Sequence, residues 1–146
     1  MRYTYEYPRP TVTVDVVVID PTRKKVLLVK RGKEPFKGMW ALPGGHVEQD
    51  EDLDIAAARE LNEETSVAVL PGALEQLGAY GAPGRDPRGW CVDIAYLLTT
   101  RNQPEARAGD DAAEVGWFSV DDPHGLPELA FNHWQIINDA LARLGE

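Results

Sequence analysis

The chain has 146 residues, 43% of them hydrophobic, which is the usual size of one globular domain, so we expect a single domain over residues 1–146. Its 24 acidic and 15 basic residues give a formal net charge of -9, which argues against nonspecific nucleic-acid binding, because such binding depends on basic patches. An acidic protein can still hold a small phosphorylated molecule when divalent cations lie between its carboxylates and the phosphate oxygens.

The first half of the chain predicts a β-hairpin, a loop and a helix. Residues 11–20 are β-branched and largely apolar, and after the turn-like DPTR a second apolar strand, KKVLLVKR, completes the hairpin. The Gly- and Pro-rich GKEPFKGMWALPGG predicts a loop with one short strand around Trp40 to Leu42. Acidic residues then precede IAAARELNEE, which is rich in strong helix formers, so we expect a helix from about Asp52 to Thr65.

The second half predicts three further strands and a closing helix. The strands are expected over residues 74–80, 91–100 and 113–120. The tail carries apolar residues at helical spacing, namely Leu129, Trp134, Ile137 and Leu141. We expect an amphipathic helix there, with His133 capping it or packing on it. Strands around a central helix, with another helix at the end, indicate a mixed α/β sandwich.

Location and metal class are bounded by a few observations. No apolar run approaches the length of a membrane span, and the N-terminus lacks the apolar centre of a signal peptide, so we expect a cytoplasmic protein without membrane contact. The single Cys91 cannot form an intrachain disulfide, which agrees with a reducing compartment. The histidines His46, His124 and His133 lie far apart and outside zinc-ligand spacing.

Three glutamates, Glu60, Glu63 and Glu64, fall on one face of the predicted central helix, where their mutual repulsion and the helix dipole both oppose them. A solvated acidic face, with an ordinary i,i+4 pair between Arg59 and Glu63, is the commonest reason for such a cluster. The alternative is a site for Mg²⁺ or Mn²⁺, whose preferred ligands are carboxylate oxygens. The cluster alone favours the solvated face.

The residues around the glutamates change that balance. Gly45 is followed by five residues, Glu51, seven residues and then the run RELNEE over residues 59–64. This pattern resembles the signature of the Nudix hydrolases over 23 residues, and it departs from that signature at one fixed position, where Ser66 replaces a glycine. The departure concerns the turn that leaves the helix, because glycine adopts a left-handed conformation more cheaply than serine.

The resemblance implies an α/β/α sandwich with a mixed sheet and a catalytic loop-helix-loop, which cleaves a nucleoside diphosphate linked to another group. It assigns Glu60, Glu63 and Glu64 to the divalent cations, Mg²⁺ or Mn²⁺, with the Gly45 carbonyl as a further candidate ligand. It also implies that Arg59 orients the helix carboxylates and that Glu51 partners Arg59. Such roles suit the chemistry, because water is a poor nucleophile and a diphosphate is densely anionic.

The sequence offers more than one candidate for the general base. Glu63 or Glu60 could remove the proton, but some branches of the Nudix family use an acidic residue from a distant loop. The stretch EARAGDDAAE offers candidates at Glu105, Asp110, Asp111 and Glu114. A solubilising acidic turn explains this stretch equally well, because a base must first be judged on geometry.

A second stretch, GAPGRDPRGWCVDIAYL, resembles the Arg-Asp-Pro-Arg-Gly segment of Nudix proteins that act on ADP-ribose or bind it. Arg85 and Arg88 are forked cations suited to phosphates or ribose hydroxyls, and Asp86 can accept hydrogen bonds from a sugar diol. A polar hairpin with a local Arg–Asp pair is the simpler alternative. Trp40 or Trp90 could stack on adenine, although a buried tryptophan is more often core.

With KRGKEPFKGMWALPGG, AGDDAAEVGWF and LAFNHWQII, the similarity extends over most of the chain to the compact microbial ADP-ribose pyrophosphatases. It predicts hydrolysis of ADP-ribose to AMP and ribose 5-phosphate. Two alternatives remain: a Nudix activity on oxidised nucleoside triphosphates or dinucleotide coenzymes, and a sensor that binds ADP-ribose without cleaving it. The strand-like N-terminus, MRYTYEYPRP, predicts contact with a second subunit in a homodimer.

Overall fold

The computed structural model describes residues 2–109, 112–122 and 124–145. The strands are β1 Thr11–Asp20, β2 Lys25–Arg31, β3 Trp40–Ala41, β4 Gly44–His46, β5 Glu75–Tyr80, β6 Cys91–Thr99 and β7 Ala112–Ser119. The α-helices are α1 Leu53–Thr65 and α2 His133–Leu144, and a single 3₁₀ turn spans Pro71–Ala73. None of the helices within these ranges is both long and apolar enough to cross a membrane.

Strand β1 lies at the centre of a mixed sheet. It pairs in parallel with β6 and antiparallel with β2 and β4, and the main path of the sheet runs β3-β2-β1-β6-β5, with β7 added to β2. Eight consecutive residues of β1, numbers 13–20, are buried. Burial on both faces explains why this strand is β-branched and apolar almost throughout rather than alternating.

The two helices cover opposite faces of the sheet. Val14, Val16 and Val18 point toward α1 and pack in a cluster with its Leu61. The intervening residues of β1 point the other way, and Val17 and Ile19 pack in a second cluster with Ile136 and Ile137 of α2. The period-2 alternation of side chains along β1 therefore produces two cores and confirms the predicted α/β/α sandwich.

The predicted elements agree with the structure to within a residue or two, except in the tail. Leu129 was expected on the closing helix but lies before it, in a β-bridge to Trp40. Trp134 was expected on the apolar face but is 58% exposed. The buried residues of α2 are His133, Ile136, Ile137 and Ala140. The buried face of α2 therefore includes the polar ring of His133 and excludes Trp134.

The turn that leaves α1 has the conformation expected of the missing glycine. Ser66 is left-handed, with φ 65° and ψ 9°, and its N–H donates to the Asn62 carbonyl. The amides of Arg107 and Gly109 donate to the carbonyls of Thr65 and Glu64 at 2.8 and 3.1 Å. The loop before β7 thus satisfies carbonyls that the end of a helix leaves without partners.

Candidate active site

Arg59 is the hub of the polar residues on α1. Its Nε and one Nη bond both carboxylate oxygens of Glu51 at 2.7 and 2.9 Å, and the same Nη donates to the His46 carbonyl at 3.1 Å. The other Nη bonds Glu60 at 2.8 Å and Glu63 at 3.2 Å. The hydrogen bond from Arg59 lowers the pKa of Glu51, and the same contact raises the pKa of Arg59. One guanidinium therefore ties the loop before the helix to two of its three glutamates.

The third glutamate is held by the strand that faces the helix. The Gly44 amide donates to Glu64 Oε1 at 2.7 Å. The next residue, Gly45, lies against Glu60, and a Cβ at Gly45 would meet the carboxylate atoms of Glu60 at 2.5 to 2.7 Å. Only a residue without a side chain allows this approach of strand and carboxylate. We refer to Glu60, Glu63 and Glu64 as the carboxylate wall.

The carboxylate wall has the donor chemistry for a hard divalent cation. Its ligands are carboxylate oxygens, and the Gly44–Gly45 backbone beside them leaves room that a Cβ would fill. Within the described ranges, no three His, Cys, Asp or Glu side chains are already gathered at metal-binding distance. Arg59 and the Gly44 amide hold the carboxylates instead. A cation would thus compete with Arg59 for Glu60 and Glu63.

A second part of the site is cationic. Arg31 of β2 and Arg85 and Arg88 of the loop before β6 surround the ring of Phe131, with guanidinium carbons 5.1, 5.9 and 5.7 Å from the ring centroid. These distances suit cation–π attraction, which offsets part of the repulsion between the three charges. Burial and the charge of Arg88 lower the pKa of Arg31. We refer to the three arginines as the arginine wall.

Both walls line one cavity of about 490 Å³. All three glutamates and all three arginines line it, as do Asp86, Phe131 and His133. Opposite charges in one cavity suit a ligand that is anionic itself and brings divalent cations with it.

The loop of residues 85–88 is held by its own charges. Both carboxylate oxygens of the buried Asp86 are bonded by Arg88, at 3.1 Å from Nε and 2.8 Å from Nη. Hydrogen bonding by Arg88 lowers the pKa of Asp86. Arg85 donates through Nε and Nη to the side-chain carbonyl of Asn132, at 3.1 and 2.9 Å. The Arg–Asp pair is local, and its carboxylate is engaged by Arg88 rather than directed at a ligand.

A buried polar group lies beneath the cavity, and we refer to Thr13, Asp15, Asp93 and His133 as the floor cluster. Thr13 donates to Asp93 Oδ1 at 2.6 Å, Asp93 is hydrogen-bonded to Asp15, and His133 Nε2 lies 3.2 Å from Asp15 Oδ2. Burial raises the pKa of Asp15 to about 7 and that of Asp93 well above its usual range, and it lowers the pKa of His133 to about 4. At neutral pH the histidine is therefore neutral, and burial favours the protonated form of Asp93.

Several other predicted residues lie elsewhere. Trp40 packs edge-to-face on Phe118 at 4.7 Å, and Trp90 is 53% exposed; neither is among the described residues that line the cavity. Glu114 is on β7 and pairs with Lys30 on the neighbouring strand at 3.1 Å. The exposed Glu105 lies 3.9 Å from Arg107. Asp110 and Asp111 lie outside the described residues.

The motifs in the sequence did not reveal Arg31, Phe131 or the floor cluster as site residues. Two signals were available: Asp15 and Asp93 are acidic residues inside strands that are otherwise apolar, where an uncompensated charge is costly. Phe131 has no comparable signal in the sequence. Its unusual feature is a left-handed backbone, with φ 54°, and that conformation is visible only in the structure.

Fold and site together define a Nudix-type protein, and the comparisons agree. The NUDIX domain family matches residues 9–140, so the chain belongs to that family. It is 44% identical over 135 residues to the ADP-ribose pyrophosphatase of Methanocaldococcus jannaschii, and 35% identical over 143 residues to the ADPR responsive transcriptional repressor NtrR of Acinetobacter baylyi. It superposes with a TM-score of 0.83, at 31% identity, on a bifunctional NMN adenylyltransferase/ADP ribose pyrophosphatase of Francisella tularensis complexed with AMP and a Mn ion.

Coverage differs between these relatives. The matches include 92%, 95% and 95% of this chain respectively, but 75% of the archaeal enzyme, 56% of the repressor and 43% of the bifunctional protein. The chain therefore corresponds to the Nudix part of the two longer proteins.

Proposed function

We propose that this protein is a Nudix pyrophosphohydrolase that hydrolyses ADP-ribose to AMP and ribose 5-phosphate with a divalent cation. The observation that carries this proposal is the cavity itself, which is lined by both the carboxylate wall and the arginine wall. Water adds to one phosphorus and gives up a proton to the general base. The bond between that phosphorus and the bridging oxygen breaks, and the bridging oxygen leaves as part of the other phosphate. The identity to an archaeal ADP-ribose pyrophosphatase supports the choice of substrate.

The cation, Mg²⁺ or Mn²⁺, would be held by Glu60, Glu63 and Glu64, with the Gly45 carbonyl as a further ligand. Once bound, such a cation neutralises the diphosphate and activates water. The Mn ion in the similar Francisella structure supports this class of metal. The contribution of Arg59 is to hold Glu60 and Glu63 on the cavity side of α1 through one Nη, while Glu51 fixes the rest of its guanidinium.

The arginine wall would bind the anionic substrate on the side away from the carboxylates. Arg85 and Arg31 present guanidinium groups to the cavity, and Arg88 is fixed by its pair with Asp86. Phe131 lies at the centre of the three arginines and lines the same cavity. Trp40 stays a stacking candidate from the sequence, and its ring packs on Phe118.

For the general base we favour Glu63 over the loop carboxylates. Its side chain is 41% exposed and lines the cavity, so water can reach it. Glu60 is 14% exposed and is more tightly held by Arg59. Glu114 is engaged by Lys30. Asp110 and Asp111 stay candidates from the sequence alone.

The test is a panel of substrates with Mg²⁺ or Mn²⁺: ADP-ribose, oxidised nucleoside triphosphates and dinucleotide coenzymes. We expect AMP and ribose 5-phosphate from ADP-ribose at the highest kcat/KM. The variants Glu63→Gln and Glu64→Gln should each lower kcat by orders of magnitude with the fold retained. Faster turnover of another nucleotide would identify that nucleotide as the substrate in place of ADP-ribose. Near-normal rates in both variants would show that Glu63 and Glu64 do not bind the metal.

A sensor is the second candidate, because the chain also resembles an ADPR responsive repressor. Tight binding of ADP-ribose in calorimetry, with no AMP formed in the presence of either cation, would support it over the enzyme.

The prediction of a homodimer also stays a proposal. Tyr3, Tyr5 and Tyr7 of the N-terminal segment are 57%, 50% and 70% exposed, which leaves an aromatic arm available to a second copy. Sedimentation equilibrium of the whole chain, beside a variant with all three tyrosines changed to serine, tests this. A cytoplasmic location and a single domain over residues 1–146 are likewise expectations from the sequence.

A further inference from the structure

His133 joins the closing helix to the strand that supports the carboxylate wall. It is the first residue of α2, it is 3% exposed, and its Nδ1 accepts a hydrogen bond from the Leu42 amide at 3.0 Å, across 91 residues of chain. Because a ring nitrogen that accepts carries no proton, the proton of the neutral imidazole lies on Nε2. That nitrogen lies 3.2 Å from Asp15 Oδ2. The ring thus contacts β1 through one nitrogen and the segment between β3 and β4 through the other.

Both contacts lead to Gly44. Leu42 precedes it by two residues, and Asp15 is its partner in the register between β1 and β4. A Cβ at Gly44 would overlap the Val14 carbonyl and the Asp15 carboxylate, so Gly44 is seated directly on the residues that His133 contacts. Between Leu42 and Gly44, the carbonyl of Pro43 accepts from the Val16 amide at 2.9 Å.

The same segment supports the carboxylate wall. Gly44 donates to Glu64 at 2.7 Å, and Gly45 lies against the carboxylate of Glu60. A shift of Leu42 would move Gly44 and Gly45, which follow it within three residues and contact the two glutamates. Pro43 could not absorb the shift, because its φ can change only a little.

The orphaned atom in the floor cluster has a simple explanation in this arrangement. Asp93 Oδ2 is buried, and no donor among the described residues reaches it. A proton on Asp93 removes the deficit, because the carboxyl then donates to Asp15 while its other oxygen accepts from Thr13. The Asp15 carboxylate is consequently held between Asp93 on one side and His133 Nε2 on the other.

We propose that His133 is a positioning residue for the divalent-cation site: its Nδ1 holds the Leu42 amide and so fixes the segment that orients Glu64 and Glu60. This inference rests on the proposed metal role of the glutamates, but it concerns a residue outside the Nudix signature. The histidine acts through Leu42 and Gly44 and does not contact the reacting atoms.

Two substitutions separate the two nitrogens. His133→Asn can place a carbonyl oxygen near the position of Nδ1 and so keep an acceptor for Leu42, whereas His133→Gln can reach the position of Nε2 but leaves the Leu42 amide without its acceptor. We expect His133→Gln to weaken Mn²⁺ binding by about tenfold or more and to lower kcat more than it changes KM, since residues that orient metal ligands have effects of about 10- to 100-fold. For His133→Asn, which keeps an acceptor for Leu42, we expect a Mn²⁺ affinity and a kcat within about threefold of the native values.

Mn²⁺ binding is measured by the electron paramagnetic resonance signal of the free ion, without substrate, so it is independent of whether ADP-ribose is hydrolysed. The exposed neighbour Trp134, changed to Gln, is the matched control on the same helix and should bind Mn²⁺ as the native protein does. Native Mn²⁺ affinity in a folded His133→Gln protein, or equal losses in the Asn and Gln variants, would overturn the proposal. If the variants change Mn²⁺ binding as expected but the native protein does not hydrolyse ADP-ribose, the result would count against the proposed substrate and not against the role of His133.

If a variant does not fold, the role of His133 can still be tested on the native protein by nuclear magnetic resonance. Nitrogen-15 chemical shifts of the His133 imidazole report which nitrogen is protonated, and coupling across the hydrogen bond reports the Leu42 contact. We expect the proton on Nε2 and a measurable coupling from the Leu42 amide to Nδ1. A proton on Nδ1 would overturn the proposal.

Discussion

At the scale of single residues, glycine decides how closely the strand and the carboxylates approach. Gly44 donates to Glu64, and Gly45 touches Glu60 so closely that a methyl group could not be added without moving the carboxylate. The atoms that it would meet are at the end of a flexible side chain rather than in the backbone. A substitution at Gly45 should therefore harm the site more than the fold.

For Gly45→Ala we expect kcat to fall by about 10- to 100-fold, the range found when a metal ligand loses its orientation, while the midpoint of thermal unfolding changes little. Steady-state kinetics and a circular dichroism melt measure the two effects. Gly72→Ala is the matched control, because no atom lies within 4 Å of a Cβ at that position. A Gly45→Ala enzyme with native kinetics would show that Glu60 needs no fixed position.

The buried Asp93 predicts a dependence of stability on pH. Burial raises its pKa in the folded protein, so above about pH 4 the folded state keeps a proton that the unfolded state has released. The contribution of this group to stability is greatest at low pH and is lost as the pH rises toward the pKa of the folded state. The slope is at most about 1.4 kcal/mol per pH unit.

Asp93→Asn removes this dependence and keeps both hydrogen bonds, since an amide accepts from Thr13 and donates to Asp15. We expect the native protein to lose stability relative to the variant as the pH rises above about 4, so the free energy of unfolding of the variant minus that of the native protein should increase. Urea unfolding at several pH values between 5 and 8 measures the difference. A difference that is constant over this range would mean that Asp93 is ionised in the folded protein.

At the scale of elements, the end of α1 shows how a departure from the family signature is accommodated. Ser66 takes the left-handed conformation that a glycine would take, and the amides of Arg107 and Gly109 bond the last carbonyls of the helix. The glutamates lie within this last part of α1, so the turn supports the carboxylate wall without contributing a ligand. The serine preserves the geometry at a cost in conformational energy.

Ser66→Gly should raise the free energy of unfolding by about 0.5 to 1 kcal/mol, because relief of the left-handed strain exceeds the greater entropy of glycine in the unfolded chain. Its kcat should be unchanged. Ser66→Ala is the control: it keeps the strain and loses only the Oγ contact with the Arg107 carbonyl at 3.4 Å. Urea unfolding of the native protein and the two variants measures these free energies. A Ser66→Gly protein that is less stable than the native protein would contradict the prediction.

At the scale of the whole molecule, the cavity brings together charges of opposite sign from distant parts of the chain. The carboxylate wall comes from one helix, whereas the arginine wall comes from β2 and from the loop before β6. Arg59 and the Gly44 amide already engage the carboxylates in the protein alone. The fold should consequently not depend on the cation that the reaction needs.

Removal of divalent cations with EDTA should therefore abolish turnover and leave the far-ultraviolet circular dichroism spectrum unchanged. Added Mg²⁺ should restore activity and raise the unfolding temperature only as far as its binding to the folded state requires. Cooperative unfolding on chelation would show that the cation organises α1, contrary to the role that we give Arg59.

The parts of the site that could be predicted are those coded locally. The strands other than β4, together with α1 and the spacing from Gly45 to Glu64, lie in short stretches where side-chain periodicity and a family signature can be read directly. Strand β4 was not predicted, because it lies in a stretch rich in Gly and Pro and pairs with the distant β1. The alternation along β1 also fixes which residues face each helix. The phase of α2 was not predictable in the same way, because a buried histidine takes a position that hydropathy assigns to Trp134.

The sequence by itself determined the fold class, the helix that carries the glutamates and the family. Only the tertiary structure decided that Arg31 and Phe131 line the same cavity, and that His133 reaches Leu42 across 91 residues. The physical reason is that such contacts depend on strand register and on the packing of α2 against the sheet, which no local pattern encodes. The charge of Asp15 and Asp93 likewise depends on burial, which is a property of the assembled fold.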